Sequence, residues 1–398
     1  MPHVNPQILV WARESAGFDL STASHKLSFT DSKTSSAEQK LQAYEKGEQP
    51  PSRALLIKMA KQYRRPLLTF YLNEPPRHGN RGEDFRTLTH DVDPSQNALV
   101  DALVRNVQAR QEIVKDALIS AKDREALAFV GSYDIRAGTQ SLVEQIQKSF
   151  GFDQKKYRSF RTQDDAFKYL RACVEGAGVF TLLLGNLGSH HTNLSTEVFR
   201  GFALSDDIAP FIVINDQDAK LAWSVTLLHE VAHLWLGKTG ISGGSIERTL
   251  EKFCNEVASE ILLPEIELEN RFNYVALQGR ESAINAIDSF ASNWKVSSRL
   301  VAFRLFRRKA IDQQQFNELS KIFYERWSAQ REKQKAKDRS GNGGPSYYVL
   351  KRNRLGAALI DTSERLLRSG ELSTTRVATV LGVRALKIEK LFNETQLV

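Results

Sequence analysis

Residues 224–237 read SVTLLHEVAHLWLG, and this stretch decides the fold. His229 and His233 are four apart, so a helix stacks them on one face. Two neutral imidazoles in that arrangement reach one Zn2+ at ~2.0–2.1 Å. Glu230, beside the first histidine, is placed to take a proton from a water that the ion acidifies toward a pKa of ~7. The hydroxide so formed attacks a peptide carbonyl, and the carboxyl then passes its proton to the leaving amine. Val225, Leu228, Ala232 and Trp235 give the helix an apolar face, so the histidines ride on a packed element. The competing reading is a pair of satisfied histidines on an amphipathic helix. Histidine is scarce, with eight in the chain, and that scarcity favours the metal reading.

A catalytic zinc takes a third protein ligand and keeps one position open for water. A carboxylate from the next helix is the expected provider. Residues 245–264, SIERTLEKFCNEVASEILLP, offer Glu247, Glu251, Glu256 and Glu260. Glu251 is favoured, because it follows His233 closely enough for the next helix to fold back. Asn255, one turn later on the same face, is placed to hydrogen-bond a histidine's second nitrogen. Glu256 and Glu260 remain rivals. Cys254, between Phe253 and Val257, reads as a packed core thiol. His190 and His191 read as surface-loop residues, with a cleft-lining role as the alternative.

Upstream of the zinc motif the pattern is β-rich. Residues 178–184 (GVFTLLL), 198–204 (VFRGFAL) and 210–215 (PFIVIN) are strand candidates, the last two separated by the turn SDDIA. Helices are expected over 222–236 and 246–263, the latter stopped by Pro264. The expected fold is mainly α, with a zincin-like α+β core: a small antiparallel or mixed sheet plus the histidine helix. Residues 6–72 read as four or five short helices, with Pro6 opening the first, Gly17 closing it and Ser35 or Ser36 capping the third. These are the makings of a helix-turn-helix domain. Residues 95–127, 140–177 and 280–330 read as helical. Residues 331–354 hold eight Lys or Arg and two acids, and read as an exposed basic linker. Residues 346–396 read as a last helical module. The expected domains are 1–75 (helix-turn-helix), 76–165 (helical bridge), 166–275 (metallopeptidase core), 276–335 (helical extension) and 346–398 (C-terminal module).

The composition sets the outer bounds. A chain of 398 residues with 41% hydrophobic and 26% charged content suits two or three ordinary globular domains. Two distant cysteines, Cys173 and Cys254, exclude a disulfide framework and fit a reducing compartment. The start MPHVNPQILVWARES has no signal-peptide pattern, and no apolar run reaches the ~18 residues of a membrane span. The expectation is therefore a cytoplasmic protein. The net charge of +8 is modest support for nucleic-acid contact.

Together these residues resemble the ImmA/IrrE family of metallopeptidases, in the arrangement that carries an N-terminal XRE-type helix-turn-helix. The blocks NPQILVWARESAGF and KLQAYEKGEQPPSRALLIKMAKQYRRPLLTFYLNEPP are similar to its XRE domain. FRGFAL, PFIVIND and TLLHEVAHLWL resemble its strand pair and zinc helix. EKFCNEVASEILLP resembles the helix whose glutamate completes the zinc site, which supports Glu251. One departure is Phe253-Cys254-Asn255, where shorter members carry Glu-Ala followed by Asn or Asp. The resemblance implies a Zn2+-dependent endopeptidase that cleaves a partner repressor, itself a helix-turn-helix protein. Such cleavage derepresses stress, defence or mobile-element genes, in response to a signal such as DNA damage.

In a helix-turn-helix the third helix enters the major groove. Ser35, Ser36, Gln39 and Lys40 are then the candidate DNA contacts, with Gln39 able to read adenine and Lys40 to reach guanine or phosphate. Residues 1–75 hold ten basic and seven acidic residues, a thin footprint for phosphate binding, so partner docking is the competing reading. For the whole chain the alternative to an enzyme is a DNA-binding regulator or antitoxin whose peptidase fold serves as sensor or scaffold. A homodimer is compatible with the sequence.

Overall fold

Three short apolar runs form one sheet. In the computed structural model, which describes residues 4–76, 94–189, 192–237, 245–340 and 346–393, β1 spans Phe180–Leu183, β2 Gly201–Leu204 and β3 Phe211–Ile214. The order is β1-β3-β2, with β3 parallel to β1 and antiparallel to β2. Phe211 pairs with Phe180 on one side and Leu204 on the other, and Ile214 with Leu183 and Gly201. Every strand residue except Gly201 is buried. A sheet covered on both faces explains why the runs are continuously apolar rather than alternating. The strands are shorter than the runs. Gly178, at φ +97°, still belongs to the close of the preceding helix, donating to Glu175 O (3.0 Å). Pro210 has no N–H for the ladder and only accepts, from Phe180 N (2.9 Å).

The chain divides into two compact units, Met1–Asn106 with Asn186–Val198, and Val107–Gly185 with Phe199–Val398. The first holds α1 (Pro6–Glu14), α2 (Leu20–Lys26), α3 (Ala37–Glu45), α4 (Arg53–Gln62) and a 3-10 turn at Leu67–Tyr71. Side-chain caps start all four helices: Asn5, Asp19, Ser36 and Ser52 each accept a backbone N–H from their first turn. Ile8, Leu9, Leu41, Leu56, Met59 and Phe70 form its core. Buried Arg13 reaches Glu45 with Nε (2.8 Å) and Nη2 (3.1 Å), tying α1 to α3.

Helix α5 (Pro94–Ala121) begins in the first unit and ends in the second. The second unit continues with α6 (Thr139–Phe150), α7 (Gln154–Ser159), α8 (Gln163–Gly176), α9 (Lys220–Trp235) and α10 (Ser245–Leu262). Then come α11 (Glu265–Arg271), α12 (Arg280–Trp294), α13 (Ser298–Arg307) and α14 (Gln313–Ser340). The chain ends with α15 (Tyr347–Leu355), α16 (Ala357–Arg368), α17 (Thr374–Leu381) and α18 (Ile388–Asn393). Helix α9 packs on β2 and β3 and against α8 and α10, at the centre of the largest apolar cluster. The architecture is mainly helical with one small mixed sheet, as the sequence led us to expect.

One expectation is corrected. The helical stretch expected to end at 330 runs further, because α14 continues through the first part of the basic stretch to Ser340, and α15 starts at Tyr347. The stretch REKQKAKDRS has no Gly or Pro and is rich in strong helix formers, and charge alone does not stop a helix. No described helix is long and apolar enough to cross a membrane.

Candidate metal centre

Helix α9 is fixed along its whole length. Trp223, Leu227, Leu228, Val231, Ala232, Leu234 and Trp235 are all buried, so it is apolar nearly all round rather than along the single stripe expected. Tyr157 donates to Ser224 Oγ (2.9 Å) at its start. Phe129 stacks on Trp235 with ring centroids 4.4 Å apart. At its end, Gly131 N and Tyr133 N donate to the carbonyls of Leu234 and Trp235 (both 3.0 Å), tying the last turn to the preceding loop. Gly237, at φ +63°, allows that approach: a Cβ there would stand 2.9 Å from Gly131 Cα.

This rigid helix presents His229 and His233 with their Nε2 atoms 3.1 Å apart. Glu251, on the second turn of α10, closes a triangle, with Oε2 3.3 Å from His229 Nε2 and Oε1 3.0 Å from His233 Nε2. These three residues form the cluster able to hold a metal ion among the described residues. One ligand atom from each of the three residues lies within 4.8 Å of the others, close enough for all three to meet on a single ion. The His233 side chain is 4% exposed and that of Glu251 31%, so the cluster opens on the Glu251 side.

Burial disfavours charge on His229, but Glu251, Glu230 and the Asn255 side chain outweigh it and hold its pKa above the usual value. Asn255 lies beside the His229 ring, while His229 Nδ1 is enclosed without a hydrogen-bond partner among the described residues.

Glu230 is 4% exposed, and its Oε2 has no hydrogen-bond partner among the described residues. Burial pushes its pKa up, against the pull of His229 and His233. The carboxylate lies against β2 where that strand has no side chain: a Cβ on Gly201 would come within 3.0 Å of Glu230 Oε1. Sequence reading missed Gly201, although a glycine inside an apolar strand run signals close approach.

The rival glutamates are engaged elsewhere. Glu256 pairs with Arg307 (2.8 Å), and Glu260 pairs with Arg304 and accepts from Glu265 N (3.0 Å). The side chain of Glu247, and His190 and His191 altogether, lie outside the described residues. Cys254 is fully buried, and burial pushes its thiol pKa up, which fits a packed core thiol.

The candidate DNA contacts sit at the start of α3, largely turned to local use. Ser36 Oγ accepts from Gln39 N (3.2 Å) while Gln39 Oε1 accepts from Ser36 N (2.8 Å), a reciprocal capping box. Lys40 Nζ donates to Thr30 O (2.6 Å), and Ser35 meets Ser32 (3.2 Å).

Two histidines one helical turn apart and a carboxylate from the following helix thus meet in a cluster able to hold a metal ion, with a buried glutamate beside it. Residues 186–306, which contain it, match the family model of the Peptidase_M78 domain, described as the IrrE N-terminal-like domain. That match supports the ImmA/IrrE kinship and a peptidase activity. No curated protein and no solved structure matches the chain.

Proposed function

We propose that this chain is a zinc-dependent regulatory endopeptidase, with His229, His233 and Glu251 as metal ligands and Glu230 as general base. The observation that carries the reading is the convergence of His229, His233 and Glu251 in one small cluster, beside a buried carboxylate with an oxygen unpartnered among the described residues. Zinc, when bound, supplies Lewis-acid activation of water and of the scissile carbonyl. The two imidazoles face it through neutral Nε2, which puts their protons on Nδ1. Glu251 supplies negative charge and leaves its side of the cluster open to a peptide. Glu230 Oε2 accepts the proton of the attacking water and returns it to the amine nitrogen as the bond breaks.

The substrate is a partner protein, by the family reading a helix-turn-helix repressor whose cleavage derepresses stress, defence or mobile-element genes. The setting is cytoplasmic. Zinc content by elemental analysis, with His233→Ala as control, tests the ligand set. Cleavage of a co-encoded repressor, compared with Glu230→Gln, tests the chemistry. Equal inertness of wild type and Glu230→Gln with zinc and the right partner sinks the reading.

The N-terminal unit is proposed to contact DNA through Ser35, Ser36, Gln39 and Lys40. Gln39 then reads a base with its side-chain amide nitrogen, since its oxygen caps α3. A pure regulator or antitoxin with the peptidase fold as scaffold accounts less well for the site, because a scaffold has no use for the buried Glu230.

A further inference from the structure

Away from the metal cluster, the second unit buries its cations with partners. Arg171 pairs with Glu175 and donates to Thr181 O and Asn353 O. Arg304 pairs with Glu260. Arg158, with Nε and Nη2 unbonded, lies over the Trp294 ring at 3.3 Å and near Glu267. Arg110 on α5 departs from this pattern. It is 7% exposed, its Nε and Nη1 are enclosed without hydrogen bonds, and among the described residues it has neither an acidic partner nor a ring to stack on.

A second cation stands beside it. The position of a Cβ on Gly382, the residue that closes α17, is 3.0 Å from Arg110 Nη2 and 3.4 Å from Lys351 Nζ. Lys351, on α15, has Arg110 and Arg354 as its charged neighbours, both repulsive. Arg354 is neutralised by Asp216 (2.9 Å), but Arg110 and Lys351 are not matched by any described acid. Their juxtaposition is costly in a low-dielectric site unless an anion is present. Gly382 is exposed and carries no side chain, so Arg110 Nη2 and Lys351 Nζ approach an open stretch of backbone. Its φ of +59° serves the helix end, but that does not account for two converging cations.

We propose that Arg110 and Lys351, meeting at Gly382, form a binding site for a phosphate group. Arg110 Nη2 offers a charge-assisted donor to a phosphate oxygen, and the Lys351 ammonium complements it as a point charge. A phosphate monoester carries about −1.5 to −2 at pH 7, close to what two unmatched cations require, whereas a carboxylate supplies a single charge. Each cation comes from a different helix, and the site involves no residue of the metal cluster.

The test is calorimetric titration of the full chain with inorganic phosphate, and separately with a nucleoside monophosphate, against chloride at matched ionic strength. Saturable phosphate binding is expected, weakened at least tenfold in both Lys351→Gln and Arg110→Lys. Lys351→Gln is the safer variant for folding, because Lys351 is only half-buried. Tighter binding of the monophosphate identifies an organic phosphate as the ligand, and equal binding identifies phosphate itself. Either supports the site. Absence of phosphate-specific binding in the wild type, or affinity in Lys351→Gln within twofold of wild type, overturns it.

Discussion

At the scale of single residues, the site depends on Gly201 through what it lacks. A Cβ there would stand 2.6 Å from Thr226 Cγ2, 3.0 Å from Glu230 Oε1 and 3.1 Å from Val213 O. Backbone and a packed helix cannot give way, so Gly201→Val should cost about 1–3 kcal/mol in urea denaturation and displace Glu230. Cleavage should fall even where the fold survives. Glu230→Gln should keep its zinc and lose ~10²–10⁴-fold in cleavage rate, whereas His233→Ala should lose the metal itself. Lys351 gives a pH signature. Burial, then Arg110 and Arg354, push its ammonium pKa down to about 8. Unfolded, it titrates near ~10.4. Between those values the unfolded chain binds more protons, so this group makes stability rise with pH, and below about 8 its full penalty applies. Lys351→Gln should therefore be more stable than wild type at pH 7, by about 1–2 kcal/mol after solvent screening. That gap should close toward pH 10 in paired denaturation curves, and a gap indifferent to pH would contradict the assignment.

Among the elements, α9 and α10 bring together the candidate metal cluster, and α3 bears the candidate DNA contacts. Helix α9 has its last carbonyls satisfied by residues 131–133, so its two histidines are held by backbone bonds as well as by packing. Helix α10 sets which carboxylate meets them: Glu251 faces the pair, while Glu256 and Glu260 are drawn to α13 arginines. In α3 the capping box makes Ser36 and Gln39 parts of the helix start. Ser36→Ala should destabilise the first unit by ~1 kcal/mol, read from thermal denaturation followed by circular dichroism. If α3 also reads DNA, Lys40→Gln should weaken operator binding across sequences and flatten the salt slope by roughly one unit. An unchanged slope would point to partner docking instead.

For the molecule as a whole, a metal that binds only the folded state adds to its stability. Chelation should lower the melting temperature by roughly 5 °C or more, as expected for a site holding zinc far below the working concentration. Restoring zinc should reverse the loss, and His233→Ala should melt at one temperature with or without chelator. A wild type indifferent to chelator would mean the His–His–Glu triangle holds no ion.

The sequence by itself determined the helix that bears the histidines, the three strand runs, and the helix starts marked by Pro6 and by Ser36, one of the two serines offered as the cap of α3. These are local signals: spacing of four, continuous apolar runs and capping side chains act within a turn or two of themselves. It misjudged where α14 stops, because a run of like charge reads as linker although its residues favour helix. Only the tertiary structure decided that β3 lies between β1 and β2, that Glu251 rather than its neighbours faces the histidines, and that Arg110 meets Lys351. Those outcomes depend on how helices cross and which faces they bury, a many-body packing result that no spacing along one chain encodes.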